Sequence, residues 1–287
     1  MMRTEKEMFE LILGTAEKDE RVRAVYMNGS RANPKVQKDN YQDFDIVYVV
    51  TGTESFLADK GWISVFGEIA MVQEPDSNDL GWGQNADYSK SYGWLMLFKD
   101  GNRIDLHIQT REAMQEEYTA DTLTVPLLDK DSILPPIPPS NDSGYLVQRP
   151  SGSRFDGCCN EFWWCLNNVA KGILRDQQPY AMKMYNQIVH AELDKMLEWY
   201  IGTRTGFSVS VGMWGKYFKK YLPAEMYELY TKTYSDFEML WSAVFAACEL
   251  FRTVAPVVGQ YFGYMYNKDD DNNMTQYLNK MMNREIL

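Results

Sequence analysis

Four prolines within five positions, in the run Leu134-Pro135-Pro136-Ile137-Pro138-Pro139-Ser140-Asn141-Asp142-Ser143-Gly144, cannot lie inside a helix or a central strand. Each proline removes a backbone donor and fixes φ. The run therefore cuts the chain in two, and 287 residues is about the length at which a single core gives way to two domains. The expected division is 1–133, a Pro-rich linker over 134–152, and 153–287.

The two sides differ in period. Before the prolines, Val22 to Met27, Ile46 to Val50, Ile63 to Val72, Tyr92 to Phe98 and Arg103 to Gln109 read as strands. The β-branched run Ile46 to Val50 suits a central strand buried on both faces. Asp100-Gly101 supplies a tight hairpin between the last two. Beyond the prolines the pattern is helical, with helices expected at Ser153 to Arg175 (Ser153 as N-cap), Tyr180 to Tyr200, Ala224 to Tyr234, Phe237 to Tyr264 and Thr275 to Asn283. The fold class is thus α+β: a mixed β-sheet domain followed by an all-helical C-terminal domain. The run Asp269-Asp270-Asp271 reads as a solvated loop.

Composition restricts the chemistry. Forty acidic against 29 basic residues give a net charge of -11, which disfavours nucleic acid as a partner and suits a cationic substrate. No uninterrupted apolar run approaches the roughly 20 residues of a membrane helix, and the N-terminus is charged where a secretory signal would be apolar. A cytoplasmic monomer with no membrane partner is expected. Cys158, Cys159, Cys165 and Cys248 lack metal-binding spacing and read as reduced packing residues. With His107 and His190 standing apart, the chemistry must come mainly from carboxylates.

Three carboxylates stand out. Asp43-Phe44-Asp45 opens the strand Ile46 to Val50, and residues i and i+2 of a strand share a face about 6.5 Å apart. Two such charges repel unless a divalent cation removes the penalty, and a pair of Mg²⁺ ions about 3.5 to 4 Å apart would suit them. In Arg103-Ile104-Asp105-Leu106-His107-Ile108 the apolar residues alternate with Arg103, Asp105 and His107, so Asp105 lies on a polar face. If this strand pairs beside Asp45 to Val50, the three Asp converge on one patch for hard cations carrying phosphates. Gly29-Ser30, thirteen positions before Asp43, ends the strand Val22 to Met27 in a turn whose N–H groups and hydroxyl suit phosphate at the start of a helix.

Gly29-Ser30, then Asp43-Phe44-Asp45 opening an apolar strand, then Asp105 on a later strand resembles the nucleotidyltransferase superfamily. Over nearly the whole chain, Asn28-Gly29-Ser30-Arg31-Ala32-Asn33, Arg103-Ile104-Asp105-Leu106 and Val169-Ala170-Lys171-Gly172-Ile173-Leu174-Arg175-Asp176 resemble the streptomycin-modifying aminoglycoside 6-adenylyltransferases. The resemblance implies a nucleotidyltransferase domain that transfers AMP from ATP to a hydroxyl of streptomycin, with pyrophosphate released. By that similarity Asp43, Asp45 and Asp105 bind Mg²⁺, Asp105 lies near the attacking hydroxyl, and Gly29 and Ser30 hold phosphates with Arg31 nearby.

In the helical half, Phe155, Cys159, Phe162, Leu166, Val169 and Ile173 form an apolar stripe, while Glu161, Trp164, Asn168, Lys171 and Arg175 share another face. Lys171 and Arg175 are i, i+4 neighbours suited to a triphosphate, and the resemblance favours Lys171. The general base is left open between Glu161 and Asp105. Asp76, Asp79, Trp82 and Asp87 are candidates to meet the guanidinium groups of streptomycin. The site is expected in the cleft between the halves. Two other readings stand beside this one: adenylylation of a protein, and a catalytically silent nucleotide-binding module.

Overall fold

The computed structural model describes residues 2–59 and 61–285. The chain forms two compact units, Met1–Gly144 and Tyr145–Leu287.

Unit 1 contains α1 (Glu5–Lys18), β1 (Val22–Met27), β2 (Phe44–Val50), α2 (Glu54–Ala58), β3 (Ile69–Gln73), α3 (Pro75–Gly81), β4 (Ser91–Phe98), β5 (Arg103–Thr110), α4 (Arg111–Glu117) and β6 (Val125–Asp129). The strands form one mixed sheet in the order β3-β4-β5-β2-β1-β6. Only β2 and β5 run parallel; the other pairs are antiparallel. Phe44, Ile46, Tyr48 and Val50 join the core that includes Met8 and Ile12 of α1. Val47 and Val49 pack on the other face with Met114 and Tyr118. The strand is therefore buried on both faces, as its β-branched run requires. Thr4 caps α1 through a capping box with Glu7, which satisfies two of the donors left open at a helix start.

The sheet differs from expectation near Ile63 to Val72. Trp62–Phe66 coils into a short 3₁₀ helix, and Gly67, at φ 130°, turns the chain so that the strand begins only at Ile69. The Pro-rich run does not hang free. Ser140 donates to the Ala32 carbonyl at 2.7 Å, Lys35 pairs with Asp142 at 2.7 Å, and the Asp129 carboxylate accepts from the N–H groups of Ile133 and Leu134. The prolines thus follow the surface of unit 1, where their missing donors leave nothing unsatisfied.

Unit 2 is helical: α5 (Gly152–Leu174), α6 (Gln178–Met184), α7 (His190–Thr205), α8 (Phe218–Tyr221), α9 (Ala224–Thr231), α10 (Leu240–Phe262) and α11 (Lys268–Met282). Ser151, not Ser153, caps α5 by accepting from the Arg154 N–H. The expected single helix over Tyr180 to Tyr200 is interrupted by a π turn at Tyr185–Val189. The buried stripe of α5 packs into one core with α7 and α10, and there Phe162 and Phe251 stack at 3.8 Å between centroids. By length and composition α10 is apolar enough to cross a bilayer, although no run in it is uninterrupted. Its Leu240, Val244, Leu250, Phe251 and Val254 are buried in that core.

Asp269, Asp270 and Asp271 form the first turn of α11 and not a loop, a correction with a clear cause. Asn267 caps the helix, acidic residues suit its positive end, and Asp271 is drawn in by Arg252 of α10 at 2.7 Å and by Tyr266. The four cysteines are free and buried. Burial pushes the Cys248 thiol up to about 12, so none of its chemistry is poised for attack. His190 does not stand alone: its Nε2 lies 2.8 Å from the Thr233 hydroxyl and its Nδ1 3.4 Å from Asp194. Thr233 and His190 are buried in the core, with Asp194 partly exposed at its edge.

Candidate active site

The parallel pairing of β2 and β5 sets Asp45 opposite Asp105 in register. Side chains alternate across a strand, so both point to the face away from Phe44 and Ile104, with Asp43 on the same side just before β2. Arg103 completes the patch. Its Nε and Nη2 donate to the two Asp105 oxygens at 2.7 Å each, and its Nη1 lies 3.4 Å from Asp43. Sequence alternation placed Arg103 on the polar face without giving it a role; its position two residues before Asp105 was the available signal.

The carboxylates are not equally provided for. Among the described residues, neither oxygen of the partly buried Asp45 accepts a hydrogen bond or an ion pair. Burial first, then the charges of Asp105 and Asp43, push its carboxyl up to about 6. Asp43 is raised too, by burial above all, with Arg103 opposing the shift. The patch thus carries negative charge that Arg103 only partly balances.

Gly29 borders the patch. Its φ of 73° and ψ of -154° lie in a region that is essentially reserved for glycine. A Cβ there would come within 2.1 Å of an Asp45 carboxylate oxygen. The turn is fixed from below by a hydrogen bond from the Asn28 N–H to the Asp45 carbonyl at 2.9 Å. Ser30 opens a single 3₁₀ turn, Ser30–Ala32, and not a longer helix. Gln42 reaches its hydroxyl at 3.4 Å. Arg31 is buried: it donates to the carbonyls of Gln42 and Asp43, pairs with Glu5 at 3.1 Å, and lies 3.8 Å over the Phe44 ring. It braces the segment between Ser30 and Asp45 from within.

Among the described residues, no three His, Cys, Asp or Glu side chains are gathered, as they stand, into a set able to hold a metal ion. Arg103 occupies Asp105 instead. The donor chemistry nevertheless suits a hard divalent cation, because the patch offers carboxylate oxygens and one carboxylate that lacks any partner. Asp43, Asp45 and Asp105 are the residues that would hold it.

The other sequence candidates fall as follows. Asp76 accepts from the Gly93 N–H at 2.8 Å and Asp87 from Ser89, so both serve local backbone, while Asp79 is partly buried and Trp82 exposed. In unit 2, Glu161, Trp164 and Lys171 are exposed on α5, opposite its buried stripe, and Arg175 is exposed at its C-cap. Lys171 donates to Asn167 at 2.8 Å beside a cavity of about 370 Å³ lined by Trp163, Trp164, Asp270 and Tyr277, among others. Glu161 accepts weakly from the Cys165 thiol.

The family model of streptomycin adenylyltransferase matches residues 2–281. An aminoglycoside 6-adenylyltransferase from Campylobacter jejuni is 38% identical over 94% of this chain and 93% of its own. One from Bacillus subtilis (strain 168) is also 38% identical, over 96% and 97%, and one from Staphylococcus aureus is 33% identical over 94% and 96%. The crystal structure of an aminoglycoside 6-adenyltransferase from Bacillus subtilis aligns over 98% of this chain and 99% of that chain, at 32% identity and a TM-score of 0.47. The sequence matches make the chain an adenylyltransferase enzyme. It belongs to the streptomycin adenylyltransferase family.

Proposed function

We propose that the chain transfers AMP from ATP to a hydroxyl of streptomycin, the 6-hydroxyl, and releases pyrophosphate in a Mg²⁺-dependent inline reaction. The observation that carries this reading is the unpaired Asp45, in register with Asp105 and pressed against Gly29. Such a patch of carboxylate oxygens suits a divalent cation, and phosphoryl transfer consists largely of positioning and charge neutralisation. The names of the relatives support an aminoglycoside acceptor, and the net charge of -11 favours a polycationic one.

Asp43, Asp45 and Asp105 would hold Mg²⁺, which supplies positive charge to the phosphates. Gly29 and the Ser30 hydroxyl hold the β- and γ-phosphates through backbone N–H and O–H donors. Arg31 acts through the turn it braces. Lys171 of α5 and Arg175 at its C-cap present cations to the triphosphate, and a carboxylate, Asp105 or Glu161, takes the proton of the attacking hydroxyl. Unit 1 is the catalytic domain and unit 2 the substrate-binding one. Use of ATP supports a cytoplasmic location, and a monomer is the simplest assembly.

Asp45→Asn keeps the side-chain shape and removes the charge. It is expected to lower turnover by about a hundred- to a thousandfold, on the scale of removing a main electrostatic group, with the circular dichroism spectrum unchanged. Near wild-type turnover would remove the role assigned to Asp45. AMP found on a protein hydroxyl, with aminoglycosides untouched, would redirect the reading to a protein acceptor.

A further inference from the structure

The two arginines at the patch are held in opposite ways. Arg31 is buried and tied by two carbonyls, Glu5 and the Phe44 ring. Arg103 has a side chain that is 41% exposed, and among the described residues Asp105 and Asp43 are its only partners. Among the described residues, those carboxylates alone hold its guanidinium.

We propose that Arg103 is an exchangeable internal cation: it pairs with Asp105 and Asp43 and passes to the nucleotide's phosphates when Mg²⁺ takes those carboxylates. The inference rests on the metal-assisted reaction proposed above.

Three observations lead to it. Both oxygens of Asp105 are engaged by the guanidinium fork, the geometry in which arginine binds carboxylate most firmly. A divalent cation binding Asp105 meets the positive charge of the guanidinium in the same place, so the two compete. Among the described residues Asp45 has no hydrogen-bond or ion-pair partner of its own, which leaves one carboxylate of the patch open to an arriving cation. Once displaced, the guanidinium needs a planar, bidentate anion, and a triphosphate offers one. The exchange keeps the patch from carrying three bare carboxylates in the free enzyme and places a phosphate ligand at the site as the metal arrives.

The competition predicts opposite effects from one substitution. In the full-length chain without nucleotide, Arg103→Gln is expected to bind Mn²⁺, used as the spectroscopic stand-in for Mg²⁺, about tenfold more tightly than wild type, as loss of one charge-assisted competitor implies. In the same variant KM for MgATP is expected to rise, because the phosphates lose their partner. Arg103→Lys, which keeps the charge without the fork, should fall between the two in Mn²⁺ affinity and guards against a folding defect in the first variant.

An arginine that merely props Asp105 in position would move both quantities together, with weaker Mn²⁺ binding and a higher KM. Equal or weaker Mn²⁺ binding by a folded Arg103→Gln chain would overturn the exchange while leaving the adenylylation reading intact. Failure of wild type and variant alike to bind Mn²⁺ would overturn the exchange and the metal roles of the three aspartates together. Turnover with streptomycin, measured separately, distinguishes a failed metal assignment from a failed reaction assignment.

Discussion

A Cβ on Gly29 would lie 2.1 Å from a carboxylate oxygen of Asp45, so the glycine turn and the central carboxylate are built against each other with no room between them. Gly29→Ala is therefore expected to act twice. The backbone conformation, φ 73° and ψ -154°, costs an alanine about 1–3 kcal/mol. The contact also forces Asp45 from its place. A thermal melt should show the stability loss, and steady-state rates should fall by about a hundredfold or more, in line with displacement of a reacting group by an ångström.

Asp45 also sets a pH dependence. Its carboxyl is raised to about 6 in the fold from an ordinary value of 3.8, so the folded state favours the protonated form. The metal-free protein consequently loses stability as pH rises through the window from about 4 to 6, by an amount on the order of 2–3 kcal/mol. Asp45→Asn removes that penalty and should raise the melting temperature of the metal-free protein at pH 7.5, with little effect at pH 4. Urea titrations at the two pH values check the sign.

Much of this site was legible because a strand's period of two is a strict rule. Alternation put Asp43 and Asp45 on one face and Asp105 on the polar side of its strand, and register then set Asp45 beside Asp105. The role of Arg103 was not legible in the same way. That it bridges Asp105 and Asp43 depends on which strands are neighbours, and this is a tertiary fact. The same holds for Asp271, whose partner Arg252 lies 19 residues away on another helix; an acidic run by itself reads as solvated surface. The π turn at Tyr185–Val189 was not legible because the residue types on both sides of it are helical, and a single wide turn is set by packing.

Arg31→Ala tests whether Arg31 works through the turn. Its removal leaves the Gln42 and Asp43 carbonyls without their donor and strips the Phe44 ring of its cover. A loss of about 2–4 kcal/mol in folding stability is expected, combining lost charge-assisted hydrogen bonds and packing. Chemical denaturation measures it. An unchanged midpoint with weakened MgATP binding would instead make Arg31 a direct phosphate ligand.

In unit 2, Asp271→Ala should destabilise the chain by about 1–3 kcal/mol, because Arg252, Thr275 and Tyr266 all address its carboxylate. Catalysis should be retained in the folded fraction. Lys171→Ala is expected to do the reverse, raising KM for ATP about tenfold with the melting temperature within a degree or two of wild type, since its side chain is exposed and holds only Asn167. Parallel melts and kinetics on the two variants separate the structural acid from the proposed ligand.

The most direct measurement is pyrophosphate release from MgATP with streptomycin, kanamycin, spectinomycin or no acceptor, followed by mass spectrometry of the antibiotic. The account predicts release with streptomycin alone, one adenylyl group added per molecule, and loss of both signals in Asp45→Asn. Silence with every aminoglycoside, from folded protein that binds MgATP, would contradict it.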